Sequence, residues 1–178
     1  MLSKIRAAAT IAVLALAARP ASLLAQGNAH FVIAAGATLP TGTFGDNHDI
    51  GYHGIVGVEM LQPSSQLGFR VEGMYNEFNQ KSGSDKAHAS GVIGNAVFEL
   101  APAGRTTANT IYAIGGIGYY STKDPTFFDN SSQTNVGWNI GGGFRFPLTG
   151  FSAYVEARYH SVNGTDFHFV PITFGLVF

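Results

Sequence analysis

Seven ionisable residues stand at alternating positions within otherwise apolar stretches: Glu59, Arg70, Glu72, Glu99, Arg145, Glu156 and Arg158. If they share an interior, they can pair into a fixed network or line a path for ions or protons. The four Glu and three Arg nearly cancel, and an unpaired buried charge is costly, so the spacing favours a paired network. A second candidate is His160-Ser161, a base next to a nucleophile. In an extended strand adjacent side chains point to opposite faces, so this pair reads as an inward histidine beside an outward serine. His30, His48, His53, His88, His160 and His168 lack metal-site spacing. Those flanking the first and last loops could meet only as a cluster at the rim. No metal and no cofactor is expected.

The elements that must carry these residues repeat with a period of two. Such segments lie at about 29–39, 50–61, 67–78, 89–100, 109–121, 135–146, 151–162 and 169–178, separated by clusters of Gly, Pro, Asn, Asp and Ser. Each has the length of a tilted strand crossing a bilayer, and none shows sustained helical periodicity. Around residue 70 the alternation sets Phe69, Val71, Gly73 and Tyr75 against Arg70, Glu72, Met74 and Asn76. Around residue 156 it sets Val155, Ala157 and Tyr159 against Tyr154, Glu156, Arg158 and His160. A soluble barrel spreads its charges over the outer face. Here charges are few and sparse, which fits a polar lumen and a lipid-facing exterior.

Charged residues make up 12% of the chain, against roughly 25% in ordinary soluble domains. After residue 30 no apolar run approaches the roughly 18 residues of a membrane helix. Lys4 and Arg6 ahead of the apolar run 7–18 predict a signal peptide over residues 1–25, with cleavage at 25–27, leaving 26–178 as the barrel. Removing Lys4, Arg6 and Arg19 takes the formal charge from −1 to −4, which argues against a nucleic-acid partner. There is no cysteine, so thiol chemistry and disulfides are excluded.

If odd-numbered strands run outward, Tyr52, Tyr75, Tyr119, Trp138 and Tyr159 collect at the outer interface. Phe31, Phe69, Phe98, Phe146, Phe151 and Phe178 then collect at the inner one, giving two aromatic girdles. The even-to-odd connections are short, and those at about 40–49, 79–88 and 122–134 are longer, as expected of periplasmic turns and extracellular loops. Glu59 and Arg70 should oppose one another across a short turn, with Arg145 diagonal to Glu156. Inward Gly57, Gly137, Gly141, Gly143 and Gly175 leave room for large lumen side chains, and Pro171 calls for a rim position or a bulge. Phe127-Phe128, an apolar pair in the third long loop, is a candidate contact surface.

The stretch GWNIGGGFRFPLTGFSAYVEARYHSV, followed by FVPITFGLVF, resembles the small eight-stranded outer-membrane barrels of the OmpA/OmpX-like class. That resemblance implies an up-and-down all-β barrel in the outer membrane, in contact with outer-membrane lipid and lipopolysaccharide. It also implies that the terminal Phe178 is a signal to the barrel-assembly machinery. The resemblance specifies the scaffold better than the function; a rigid barrel with a filled lumen that holds loops outside the cell is expected to serve envelope integrity or loop-mediated adhesion, with no surface ligand specified. A narrow pore for small solutes or ions is the first alternative. A lipid A-modifying enzyme is the second, and it fares worse: the deacylase pattern resembles His-x-Ser-Asn, whereas here position i+2 from His160 is Val162.

Overall fold

The computed structural model describes residues 29–61, 65–82, 85–100, 109–123 and 132–178. The expected signal segment, Phe127 and Phe128 lie outside the described residues. Eight antiparallel strands close into one barrel in chain order: β1 (Ala29–Thr41), β2 (Gly51–Leu61), β3 (Leu67–Asn79), β4 (Lys86–Glu99), β5 (Thr110–Lys123), β6 (Ser132–Leu148), β7 (Phe151–Val162) and β8 (His168–Val177). The period-two reading thus marks all eight strands but ends several too early. β3 to β6 run further outward than expected, so the β3–β4 connection spans only 80–85. At the inner end β6 and β7 meet in a two-residue turn, Thr149-Gly150, where Gly150 at φ +88° takes a backbone conformation that L side chains resist.

The strands tilt, and the tilt fixes which side chains can meet across the lumen. Following cross-strand partners from His30 through Glu59, Arg70, Asn95, Gly116, Asn139, His160 and Phe169 leads back to β1 at Pro40, ten residues beyond the start. Residues far apart in sequence therefore share a level inside. On the outside, Ile33, Val56, Val92, Ile117, Ile140 and Phe174 are all exposed, as a hydrocarbon-facing wall requires. On the inside, Arg70, Glu72, Asn76, Glu156 and Arg158 are buried.

Two local features differ from the expectation. Residues Gly42–Asn47 form a short helix, α1, in the first outer connection, where the sequence shows no helical period. Its formation is a tertiary effect, since burial of Phe44 in the barrel mouth outweighs the weak helix preference of GTFGDN. Pro171 lies inside the barrel with no bulge beside it: Ala157↔Ile172 and His160↔Phe169 keep one register on either side. The β7–β8 ladder is simply interrupted there, as the missing N–H demands, while β8 stays paired with β1 through Thr38↔Pro171.

Glycine makes room for rings in this lumen. A Cβ at Gly175 would collide with the Tyr154 ring, and one at Gly143 with the Tyr112 ring. Gly175→Ala should lower stability by about 1–3 kcal/mol through overpacking. Urea titration of the heat-modifiable folded band measures this, and adding Tyr154→Leu should restore part of the loss. An unchanged midpoint for Gly175→Ala alone would show that the ring can yield.

Candidate functional site

The seven ionisable residues singled out in the sequence line one interior. β2 and β3 present Glu59 and Arg70 as direct cross-strand partners, and Arg70 Nε donates to Glu59 Oε2 at 2.8 Å. Arg70 Nη1 reaches across the lumen to Glu156 Oε2 at 2.9 Å. Arg158 Nε lies 2.8 Å from Glu156 Oε1, and its Nη1 donates to Glu72. Towards the inner mouth, Arg145 Nη2 donates to Glu59 Oε1 at 2.5 Å and Nη1 to Glu99 Oε1 at 3.3 Å. The result is a chain of alternating sign, Glu99, Arg145, Glu59, Arg70, Glu156, Arg158, Glu72. Its one surplus negative charge is at the wet end, since the Glu99 side chain is 22% exposed while Glu59, Glu72 and Glu156 are sealed.

Arg145 stands diagonal to Glu156 in the β6–β7 register, as expected, but does not bond it. Its cross-strand neighbour is Tyr154, but its guanidinium turns across the lumen to Glu59 and Glu99. Glu156 is already held by two arginines and by Tyr112 Oη, which donates at 2.7 Å. Reasoning from adjacent strands could not see this, because in so narrow a barrel a long side chain reaches the opposite wall. The same geometry gives a role to Tyr154, which the sequence reading placed on the inward face, and to Tyr112, which it left out. The Arg70 guanidinium lies 5.0 Å from the Tyr154 ring centroid, and that of Arg145 lies 5.4 Å from Tyr112. For Tyr112 the available signal was its inward parity.

Above the charges is a neutral polar band, in which His53 bonds Thr38 at 2.8 Å and Thr173 at 2.9 Å. Thr38 also donates to Asn76 at 3.0 Å. The outer mouth is closed by rings. Phe44 from α1 packs 4.3 Å from Phe167, 4.9 Å from Phe78 and 4.2 Å from His48. Phe78 approaches Phe169 at 5.8 Å, and His160 stacks on Phe169 at 5.0 Å. All of these side chains are buried. The lumen is thus occupied by ion pairs below and by rings above.

The histidine–serine candidate is split. His160 is buried in the lumen with Nδ1 2.9 Å from Tyr120 Oη, while Ser161 lies on the opposite face, its cross-strand partner on β8 being His168. Nor do the histidines gather at the rim. His48 is under α1, His53 and His160 are inside, and His168 stacks on Tyr159 outside. Among the described residues there is no group of three His, Cys, Asp or Glu fit to hold a metal.

Tyr52, Tyr75, Tyr119, Trp138 and Tyr159 are at the outer end of the wall, with Trp138 5.7 Å from Tyr159. Phe69, Phe98 and Phe178 are exposed at the inner end, Phe146 and Phe151 partly so, and Phe151 lies 5.8 Å from Phe178. Phe178 also closes the cylinder: its N–H donates to Phe31 O at 2.9 Å and its C=O accepts from Phe31 N–H at 3.1 Å. Residues 8–178 match the outer membrane protein beta-barrel domain family.

The chain belongs to that family. It is an outer-membrane barrel, and its apolar wall faces lipid. Among solved structures it is similar to Neisserial surface protein A, at 15% identity and a TM-score of 0.61, covering 85% of this chain and 96% of that one. It is also similar to the N-terminal β-barrel domain of OprF from Pseudomonas aeruginosa, at 14% identity and a TM-score of 0.55, covering 85% and 98%. Identities this low show a shared fold. No curated protein matches the sequence.

The alternating chain predicts unequal costs along its length. Arg70→Met leaves Glu59 and Glu156 each short of a partner in a sealed interior and should destabilise the barrel by about 3–5 kcal/mol. Glu99→Gln at the wet mouth should cost less than about 1 kcal/mol. Urea midpoints of the heat-modifiable band compare the two, and equal effects would mean that the inner charges act independently.

Proposed function

We propose that this outer-membrane barrel works by presentation: a rigid, filled cylinder holds its outer loops at the cell surface, contributing to envelope integrity or to surface contact. The observation that carries this reading is the closed lumen. Three buried arginines are tied to glutamates across its inner half, and Phe44, Phe78, Phe167 and Phe169 fill its mouth. A conducting path would have to break both layers. What remains available to a partner is the outer rim and its loops, where binding residues commonly lie on a rigid scaffold. Phe127-Phe128 is our candidate contact in the third loop.

In this reading the lipid and lipopolysaccharide of the outer membrane are its standing partners, and Phe178 is read by the barrel-assembly machinery during insertion. No catalytic step is assigned to it. Purified protein in planar bilayers should give no steady conductance, and a stable open level would favour the pore instead. Lipid A from expressing cells should keep its mass, and a mass change abolished by His160→Ala would establish the enzyme. Replacing residues 124–131 with a short Gly-Ser linker should abolish whole-cell binding to surface ligands while leaving the heat-modifiable barrel intact. Undiminished binding would remove the third loop from the contact surface.

A further inference from the structure

Among the described residues, the Asp, Glu, Lys and Arg side chains of the lipid-facing wall lie in one place. On the outward faces of the strands, the described charged residues are Glu77, Lys86 and Lys123, with His88 between them, all at the outer ends of β3, β4 and β5. The outward faces of the other five strands carry no Asp, Glu, Lys or Arg among the described residues. A charge on this wall has to sit at headgroup depth, and the neighbouring Tyr52, Tyr75 and Tyr119 mark that depth.

The sheet holds the cluster in register. Glu77 pairs with His88 across β3–β4, and His88 with Lys123 across β4–β5. Directly opposed side chains have Cβ atoms about 5 Å apart. Lys86 lies two residues from His88 on the same face of β4, about 7 Å away. Glu77 offsets one of the two lysine charges and leaves the other in surplus. Its carboxylate accepts from Lys86 Nζ and, at 3.2 Å, from Tyr75 Oη, and it is 11% exposed against 49% for Lys86. Tyr75 Oη in turn lies 2.8 Å from His88 Nδ1, and the two rings stack at 5.8 Å. An ammonium has three donors and Glu77 engages one, so Lys86 retains two for an anion.

Below the cations the wall offers apolar surface with a shallow depression. On β4, a Cβ at Gly94 would meet no atom within 4 Å, while its cross-strand partners Val71 and Ile117 stand proud on either side. Two lysines directly above such a wall, one charge in surplus over Glu77, fit an amphiphile better than a free anion. We propose that Lys86, His88 and Lys123 bind the phosphate of an outer-leaflet lipid headgroup, the lipid A phosphate of lipopolysaccharide, with its acyl chains lying against β3 to β5. This deepens the reading of the protein as an envelope barrel. Its failure is distinguishable from failure of loop presentation, because one is read by lipid selectivity and the other by loop replacement.

The test uses the whole protein in phosphatidylcholine nanodiscs doped with phosphorylated lipid A, with phosphatase-treated lipid A, or with phosphatidylglycerol, and counts retained lipid by native mass spectrometry. Charge-assisted hydrogen bonds of this kind predict about a tenfold preference for phosphorylated lipid A. K86Q/K123Q should bring retention to parity, H88Q should lose part of the preference, and K81Q, outside the cluster, should keep all of it. Heat-modifiable migration checks that each variant is folded. Equal retention of both lipid A forms by the unmodified protein, or undiminished preference in K86Q/K123Q, overturns the site. Equal retention of phosphatidylglycerol, or displacement by inorganic phosphate alone, overturns its assignment to lipid A.

Discussion

A guanidinium sealed from water needs carboxylates within reach, and the interior of this barrel is organised around that requirement. Arg70 has no exposed side-chain surface, and its nearest carboxylates come from β2 beside it and from β7 across the cylinder. Each of those carboxylates then serves a second arginine, Arg145 for Glu59 and Arg158 for Glu156. Shared ligation of this sort ties non-adjacent strands across the lumen, which backbone ladders alone cannot do. It also leaves each charge dependent on the next, so the chain behaves as a unit.

The partition between wall and lumen follows from the solvent on each side. Hydrocarbon outside admits no unpaired polar group, and an eight-stranded cylinder inside leaves space for side chains and little else. Small residues and rings are therefore complementary: Gly143 and Gly175 yield the volume that Tyr112 and Tyr154 occupy. Towards the outer mouth, where ion pairs give way to His53 and its hydroxyl partners, the seal is completed by aromatic stacking around Phe44. Rigidity of the cylinder and passivity of its lumen have the same origin, and both suit a scaffold whose working parts are at its rim.

Much of this was legible beforehand because a strand has a period of two and a membrane enforces it strictly. Phe69 beside Arg70, and Val155 beside Glu156, declare the two faces without any knowledge of their partners. The Glu59–Arg70 pair was legible for the same reason, since a short turn fixes its register. Arg145 was not, because the residue it bonds is across the cylinder and its place there depends on the ten-residue climb of the registers. Phe44 was hidden differently. It belongs to a polar, helix-poor segment whose conformation is set by what it buries rather than by its own composition.

The sequence by itself determined the class, the number of strands, the direction each side chain faces and the separation of Tyr and Trp from Phe at the two interfaces, because each is a local consequence of alternation in a hydrocarbon solvent. Only the closed barrel decided which carboxylate meets which guanidinium, that a helix folds into the mouth, and that Glu77, Lys86, His88 and Lys123 form one cluster on the outer wall. Those outcomes depend on stagger and diameter, which are properties of all eight strands together.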